Sequence, residues 1–583
     1  MNNFKSVVLL QAFYRRGNAG VPSPADHETA DWWWDHLAKQ AHELRQAGFT
    51  TVWLPPVTKG ASGTGSVGYD VFDDYDLGSK LQKGTLPTRY GTREQLERCV
   101  AIMRANGLDV YVDLVENQRA GGSGPKGFTF RYVDADGQPD GGRFPKDRLD
   151  FHPNVPQDPH VFGSAREQSF GSDLAPINGI PHHYIFDGLM ASADWLTRAL
   201  DIQGYRLDDV KGISTDFLFP LLEHGTLRGK FAVGEFFDGN LALVLNWVSN
   251  PRGMRGRSSA FDFPLHGLLV QMCNDAGHFD MSFLDHAGLA GVDPLHAVTF
   301  VENHDTEASP NLGRITRHKP LAYAYILTSE GFPCVFYKDY STDHGCLGLK
   351  GPIDNLIWIH QKIANGPTQQ RWKEHDVFAF ERLGGAHLLV GLNNDAAISR
   401  TITVDTGFGP HTPLHDYTGH AGDVQTDGNG KVTITIPRNT DGFGYVCYSR
   451  MGIGGGFGAT SLSVTQQYEG AQDLDIKPAD NSGAVQVCRL WVDTDKTITG
   501  SLQYDTASWS NATSIELALV DPSGVQVAAK DYLLTTAQGD SLTVTAKTKG
   551  WYTFRIRSFN TPADNQKPPY TLKVRYTAPQ LLI

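Results

Sequence analysis

The sequence predicts an α/β fold: a (β/α)8 TIM barrel with an inserted subdomain, followed by two all-β domains. Three observations lead there. Over residues 1–365, eight short apolar runs alternate with stretches of helical periodicity. One segment, 118–182, interrupts the alternation with Gly, Pro and Asp and few apolar runs. From residue 366 onward, short alternating runs replace the helical pattern.

The eight runs fall at 6–13, 50–54, 109–114, 204–208, 232–235, 259–263, 298–302 and 334–336. Each is short and apolar on both faces, as a buried parallel strand must be. Between them lie helical patterns, such as 33–47 with apolar Leu37, Ala38, Ala41 and Leu44, and 92–106 with Leu96, Val100, Ile102 and Met103. An open doubly wound sheet would alternate too, but it usually needs fewer strands, and no GxGxxG follows the first run. The barrel is therefore expected to occupy 1–117 and 183–365. A loop as long as 118–182 must be a small subdomain in its own right.

The runs 377–381, 387–392, 401–404, 431–436 and 442–448, split by turns such as Thr-Asp-Gly-Asn-Gly (426–430), give a first β domain over 366–450. Met-Gly-Ile-Gly-Gly-Gly-Phe-Gly opens a flexible linker at 451–459, and alternation resumes in a C-terminal β-sandwich over 460–583. A sandwich in that position is a candidate carbohydrate-binding module. Trp491, Trp509 and Trp551 are its candidate stacking residues, set against the plainer reading of core or edge tryptophans.

At 583 residues the chain needs several cores. Its net charge of −13 argues against a nucleic-acid partner, which would need a basic stripe. No run approaches the roughly 18 apolar residues of a membrane span. The first residues lack a signal h-region, so the chain is expected to act outside the cell with a leader removed, or else in the cytoplasm. A monomer is expected. The six cysteines have no metal-ligand spacing and read as buried small residues, with a Cys334–Cys346 bridge left open.

Three apolar runs lead to a carboxylate: Gly-Tyr-Arg-Leu-Asp to Asp208, Phe-Ala-Val-Gly-Glu to Glu235, and Val-Thr-Phe-Val-Glu-Asn-His-Asp to Asp305. The C-terminal ends of barrel strands are where such folds place their chemistry. Two carboxylates there can cleave a glycosidic bond, one as nucleophile and one as proton donor; a third can stabilise the charge developing on the sugar. Arg206, two residues before Asp208, shares its face and is expected to keep it ionised. Glu235 precedes Phe236 and Phe237; burial without a cation is expected to raise its pKa and keep a proton available. Taken singly, each acid reads as a strand-end cap for the next helix; the trio together reverses that.

Four stretches carry a family resemblance: Asp-Val-Tyr-Val-Asp-Leu-Val-Glu-Asn-Gln (109–118), Gly-Tyr-Arg-Leu-Asp-Asp-Val-Lys-Gly (204–212), Gly-Glu-Phe-Phe (234–237) and Phe-Val-Glu-Asn-His-Asp-Thr (300–306). Supporting stretches lie at 68–78, 261–265 and 331–337. In this order they resemble the α-amylase family of retaining glycoside hydrolases over residues 5–450. The resemblance implies Asp208 as nucleophile, Glu235 as general acid/base and Asp305 as transition-state stabiliser. It also implies His304 as a ligand of sugar hydroxyls, Tyr69 as a stacking platform, Lys211 as a leaving-group contact and Asp113 as an organiser of the strand end.

Two positions depart from the family pattern: Gln118 stands where a His is usual, and Gly212 follows Lys211 where a His is common. Glutamine still offers hydrogen bonds to hydroxyls but no charge. Calcium is the implied cofactor, held by Asn117, Asp173 and the carbonyl of Gly212, all oxygen donors suited to a hard cation. Asp134, Asp136 and Asp140 depart from EF-hand spacing and read as an Asp-Gly turn. The implied activity is endo-hydrolysis of α-1,4-glucan. The alternatives are transglycosylation or action on maltooligosaccharides and cyclodextrins, and, from another class, a catalytically silent glycan-binding protein.

Overall fold

The computed structural model describes residues 7–16, 19–122, 131–133, 139–141, 143–163, 171–275, 277–458, 460–470, 484–507, 514–532, 539–559 and 569–582. Eight parallel strands close into a barrel in chain order: β1 (Leu9–Gln11), β2 (Thr51–Leu54), β3 (Asp109–Leu114), β4 (Gly204–Leu207), β5 (Phe231–Gly234), β6 (Ser259–Phe261), β7 (Ala297–Phe300) and β8 (Phe332–Phe336). β8 pairs back onto β1. Nearly every strand residue is buried, because the inner faces fill the barrel and the outer faces meet helices.

The helices follow from their end signals and apolar stripes. α1 (Trp33–Ala47) buries Leu37, Ala38, Ala41 and Leu44 and ends on Gly48, whose φ of 103° suits glycine alone. α2 (Arg93–Ala105) starts in a capping box between Thr92 and Gln95. α3 (Tyr184–Leu200), α4 (Thr215–Leu222), α5 (Leu241–Ser249), α6 (Phe263–Asn274), α7 (Lys319–Thr328) and α8 (Lys350–Lys362) complete the outer layer. The sixth strand is shorter than its apolar run: Asp262 caps α6 by accepting from the Leu265 N–H, so Phe263 already belongs to the helix.

The described part of segment 118–182 holds little regular structure: Gln118–Arg119 pairs with Ser172–Asp173, and Arg131–Val133 pairs with Pro139–Gly141. Asp134 and Asp136 lie outside the described residues.

Beyond α8 the regular elements among the described residues are all strands. A six-stranded sheet and the hairpin of Arg400–Asp405 with Lys431–Ile436 enclose a core of their own. Two four-stranded sheets follow as a sandwich. The stretch before it, expected to be flexible, is tied to the barrel: Trp358 donates to the Gly455 carbonyl at 2.9 Å, Lys362 to that of Gly456 at 3.0 Å, and Phe457 packs against Gly48. Glycines supply free carbonyls and close approach here rather than slack.

The sandwich packs on α2 and α3, and one continuous apolar core runs from the barrel into it. Trp491 and Trp551 meet edge to face at 5.2 Å, and Arg98 of α2 lies 4.9 Å from the Trp551 ring centre. These two rings are thus interdomain packing, the plainer of the two readings; Trp509 lies outside the described residues. All six cysteines are free thiols, so the Cys334–Cys346 bridge is not formed.

Candidate active site

The parallel register sets the site. β4 aligns Arg206 with Asp113 of β3 and with Val233 of β5. Asp208 and Glu235 directly follow their strands, and their amides still donate to the Leu114 and Leu207 carbonyls at 3.0 and 2.9 Å. Both carboxyls are therefore held on rigid strand ends.

One guanidinium gathers three acids. Arg206 Nη1 lies 2.7 Å from Asp113 Oδ1 and 2.5 Å from Asp208 Oδ1, while Nη2 lies 2.6 Å from Glu235 Oε2. The expectation that Glu235 lacks a cation is thus incorrect: its partner comes from the neighbouring strand, which chain spacing does not reveal. Its carboxyl is nonetheless pushed well above the usual range. Burial is the largest cause; Arg206 opposes it, and Asp208, Asp305 and Asp209 add to it. Four acids (Asp113, Asp208, Glu235, Asp305) share two guanidiniums (Arg206, Arg15), so full ionisation would leave excess negative charge. Retaining a proton relieves it. Burial likewise pushes Asp113 up to about 7 against the pull of Arg206.

Asp305 sits five residues past β7 on an irregular turn, with its amide donating to Asn303 Oδ1 at 2.8 Å. It is the most open of the three acids, its side chain 24% exposed against 9% for Asp208 and 10% for Glu235. Arg15 lies 3.2 Å from one oxygen and His304 Nε2 3.2 Å from the other. Gln11, the last residue of β1, donates to His304 Nδ1 at 2.8 Å, so the ring carries its proton on Nε2. That N–H faces Asp305 and the Tyr69 hydroxyl, 2.8 Å away. Burial, then Arg15 and Arg206, hold the imidazole neutral, well below its usual pKa.

Tyr69 is 3% exposed. Its hydroxyl donates to Asp113 at 2.9 Å and its ring lies parallel to His304, centres 5.4 Å apart. Gln118 donates to the Tyr69 carbonyl at 3.1 Å and to Asp208 Oδ2 at 3.4 Å. Lys211 stands further out, 2.8 Å from Asp238 and near the Phe237 carbonyl. The structure thus brings together Tyr69, Gln118, Arg206, Asp208, Glu235, His304 and Asp305, with Lys211 on one flank. Gln11 and Arg15 are additions that sequence reasoning missed. The only signal was their place at the end of the first strand.

The implied calcium ligands lie just behind. Asn117 is 2% exposed, yet among the described residues neither its Oδ1 nor its Nδ2 has a hydrogen-bond partner. Such an orphaned amide is costly without a ligand. Gly212 faces it so closely that a Cβ there would come 2.6 Å from Oδ1. Asp173 is buried on the strand pair that starts one residue after Asn117. Among the described residues no three His, Cys, Asp or Glu side chains converge as a metal set; the donors here are one carboxylate, one amide and one carbonyl. They fit a hard cation.

Two carboxylates on one guanidinium at the C-terminal rim of a (β/α)8 barrel are an arrangement suited to glycosidic bond cleavage. The comparisons agree. A family model described as the α-amylase C-terminal domain matches residues 388–449. The chain is 30% identical over 483 residues to a glucan 1,4-α-maltohexaosidase of Bacillus sp. (strain 707), covering 73% of this chain and 88% of that one. It is 31% identical over 470 residues to an α-amylase of Geobacillus stearothermophilus, covering 70% and 81%. The fold matches the crystal structure of an α-amylase from Geobacillus thermoleovorans complexed with acarbose, with a TM-score of 0.56 at 16% identity over 77% of this chain and 99% of that one. The chain belongs to the α-amylase family of glycoside hydrolases.

Proposed function

We propose that the chain hydrolyses internal α-1,4-glucosidic bonds of starch-like glucans and maltooligosaccharides with retention of anomeric configuration. The observation that carries the reading is the Arg206 fork, which holds Asp208 and Glu235 on adjacent strand ends. Sharing one guanidinium keeps the carboxyls close, and a double displacement needs them about 5–5.5 Å apart.

In the first step Glu235 gives its proton to the glycosidic oxygen as that C–O bond breaks. Asp208 attacks the anomeric carbon from the other face and forms a glycosyl ester. The neutral Nε2–H of His304, together with Asp305, binds hydroxyls of the same sugar, and Asp305 faces the positive charge developing on the ring. Glu235, now a carboxylate, takes a proton from water, whose oxygen displaces Asp208 and regenerates the acid. Gln118 donates to Asp208 in place of a charged residue, and Lys211 contacts the outgoing chain.

Asn117, Asp173 and the Gly212 carbonyl would hold a calcium ion, which would supply a fixed charge clamping the inserted subdomain to the barrel. Among the described residues no helix is long and apolar enough to cross a membrane. We propose that the enzyme acts outside the cell on polymeric glucan, with the cytoplasm as the alternative, and as a monomer.

The test is release of reducing ends from soluble starch. Wild type is expected to release them, and Glu235→Gln to lose at least about 100-fold in kcat, the low end of what a positioned general acid contributes. Equal inactivity of both would defeat the reading. Long transfer products in place of short maltooligosaccharides would favour transglycosylation.

A further inference from the structure

Glu469 ends the sandwich strand Val464–Glu469 and reaches two guanidiniums at once. Arg143 of the inserted subdomain lies 2.6 Å from Oε2, and Arg198 of α3 lies 2.9 Å from Oε1. Arg143 also lies 4.2 Å from the ring centre of Tyr75, in the loop between β2 and α2. One carboxylate of the last domain thus joins the insert to the barrel. Burial works against its charge, but the two guanidinium hydrogen bonds outweigh it and its pKa is lowered.

The neighbouring contacts reinforce the seam. Tyr468 is buried between the domains, its hydroxyl donating to Glu97 of α2 at 3.3 Å. The Gln580 side chain donates to the Ala105 carbonyl at 3.0 Å. From Arg143 a short path leads to the site: Lys146, three residues on, pairs with Asp74 at 2.7 Å, and Asp74 in turn pairs with Arg119, beside Gln118. Among the described residues, the candidate stacking rings Trp491 and Trp551 are spent on Arg98 and on each other.

We propose that the C-terminal sandwich is a brace for the inserted subdomain, with Glu469 locking Arg143, and through it the ion-paired path to Arg119, onto α3. The brace is a mechanical role for the domain and is independent of which glucan is cleaved.

The test is amide hydrogen exchange on the full-length protein. Glu469→Gln keeps the shape and removes the charge; it is expected to speed exchange across 143–163 at least about tenfold, what a charge-assisted hydrogen bond is worth, and to leave β4 and β5 unchanged. Arg143→Met is expected to do the same, and the double variant to be no worse than the more affected single, as for two members of one contact. Glu469→Asp, which withdraws the charge by one methylene, is expected to fall between wild type and Glu469→Gln. Unchanged exchange over 143–163 in both single variants, or effects that simply add, would overturn the brace. So would loss of starch-granule binding at unchanged exchange, which would mark the sandwich as a carbohydrate-binding module.

Discussion

Arg206 sets the electrostatics of the site, because its two terminal nitrogens serve three carboxyls that would otherwise repel one another. Arg206→Met is expected to abolish measurable activity and to lower the melting temperature, since removing one partner of a buried ion pair costs about 3–5 kcal/mol. In the proposed mechanism Glu235 sets the pH dependence. Its folded pKa is raised, so the proton needed for catalysis persists above the usual carboxylate range and is lost as pH rises through the folded value. Activity is therefore expected to fall on that alkaline limb. The sign for stability is the same: the folded state holds a proton that the unfolded chain has released, so stability declines as pH rises between the two values. A pH–rate profile of kcat/KM alongside melting temperature checks both. Arg15→Met releases one oxygen of Asp305 and is expected to raise KM several-fold on maltooligosaccharides, with Arg15→Lys recovering part of the loss. The Arg206–Asp208 contact was legible because i and i+2 on a strand share a face. The Arg206–Glu235 contact was not, because it depends on the register between two strands, and Arg15 was not, because nothing in Gln-Ala-Phe-Tyr-Arg marks it as facing residue 305.

At the scale of elements, the junction of β3 with the inserted subdomain is tightly constrained. Asn117 ends with two unpartnered polar atoms against Gly212, and adding a side chain at 212 would press on its amide. If calcium sits there, the ion binds the folded chain alone and raises its stability with concentration. The melting temperature is expected to climb with added calcium, to fall with a chelator, and to lose this response in Asn117→Ala. A melting curve indifferent to calcium would remove the ion from the account. Strand and helix positions were legible from apolar runs because every barrel strand is buried on both faces. The end of β6 was misplaced by two residues because Asp262 reads as strand until its capping bond to Leu265 is seen. The Gly-rich stretch at 451–458 was misread for a related reason: composition reports backbone freedom, whereas Trp358 and Lys362 decide whether its carbonyls are held.

Across the whole molecule, the sandwich, the barrel and the inserted subdomain share one apolar core and a seam of charged contacts, so stability and catalysis are expected to be coupled over long distances. The partner of the sandwich was not legible in the sequence. Glu97 and Arg98 carry charges on α2, and Tyr468 and Trp551, some 370 and 450 residues later, come to pack against them. In the proposed mechanism Asp208 and Glu235 act in sequence from opposite faces of the sugar. The direct test follows the anomeric configuration of the first products from a maltooligosaccharide by proton NMR, before mutarotation equilibrates them. Double displacement predicts that the new reducing end appears as the α-anomer; initial release of the β-anomer would contradict it.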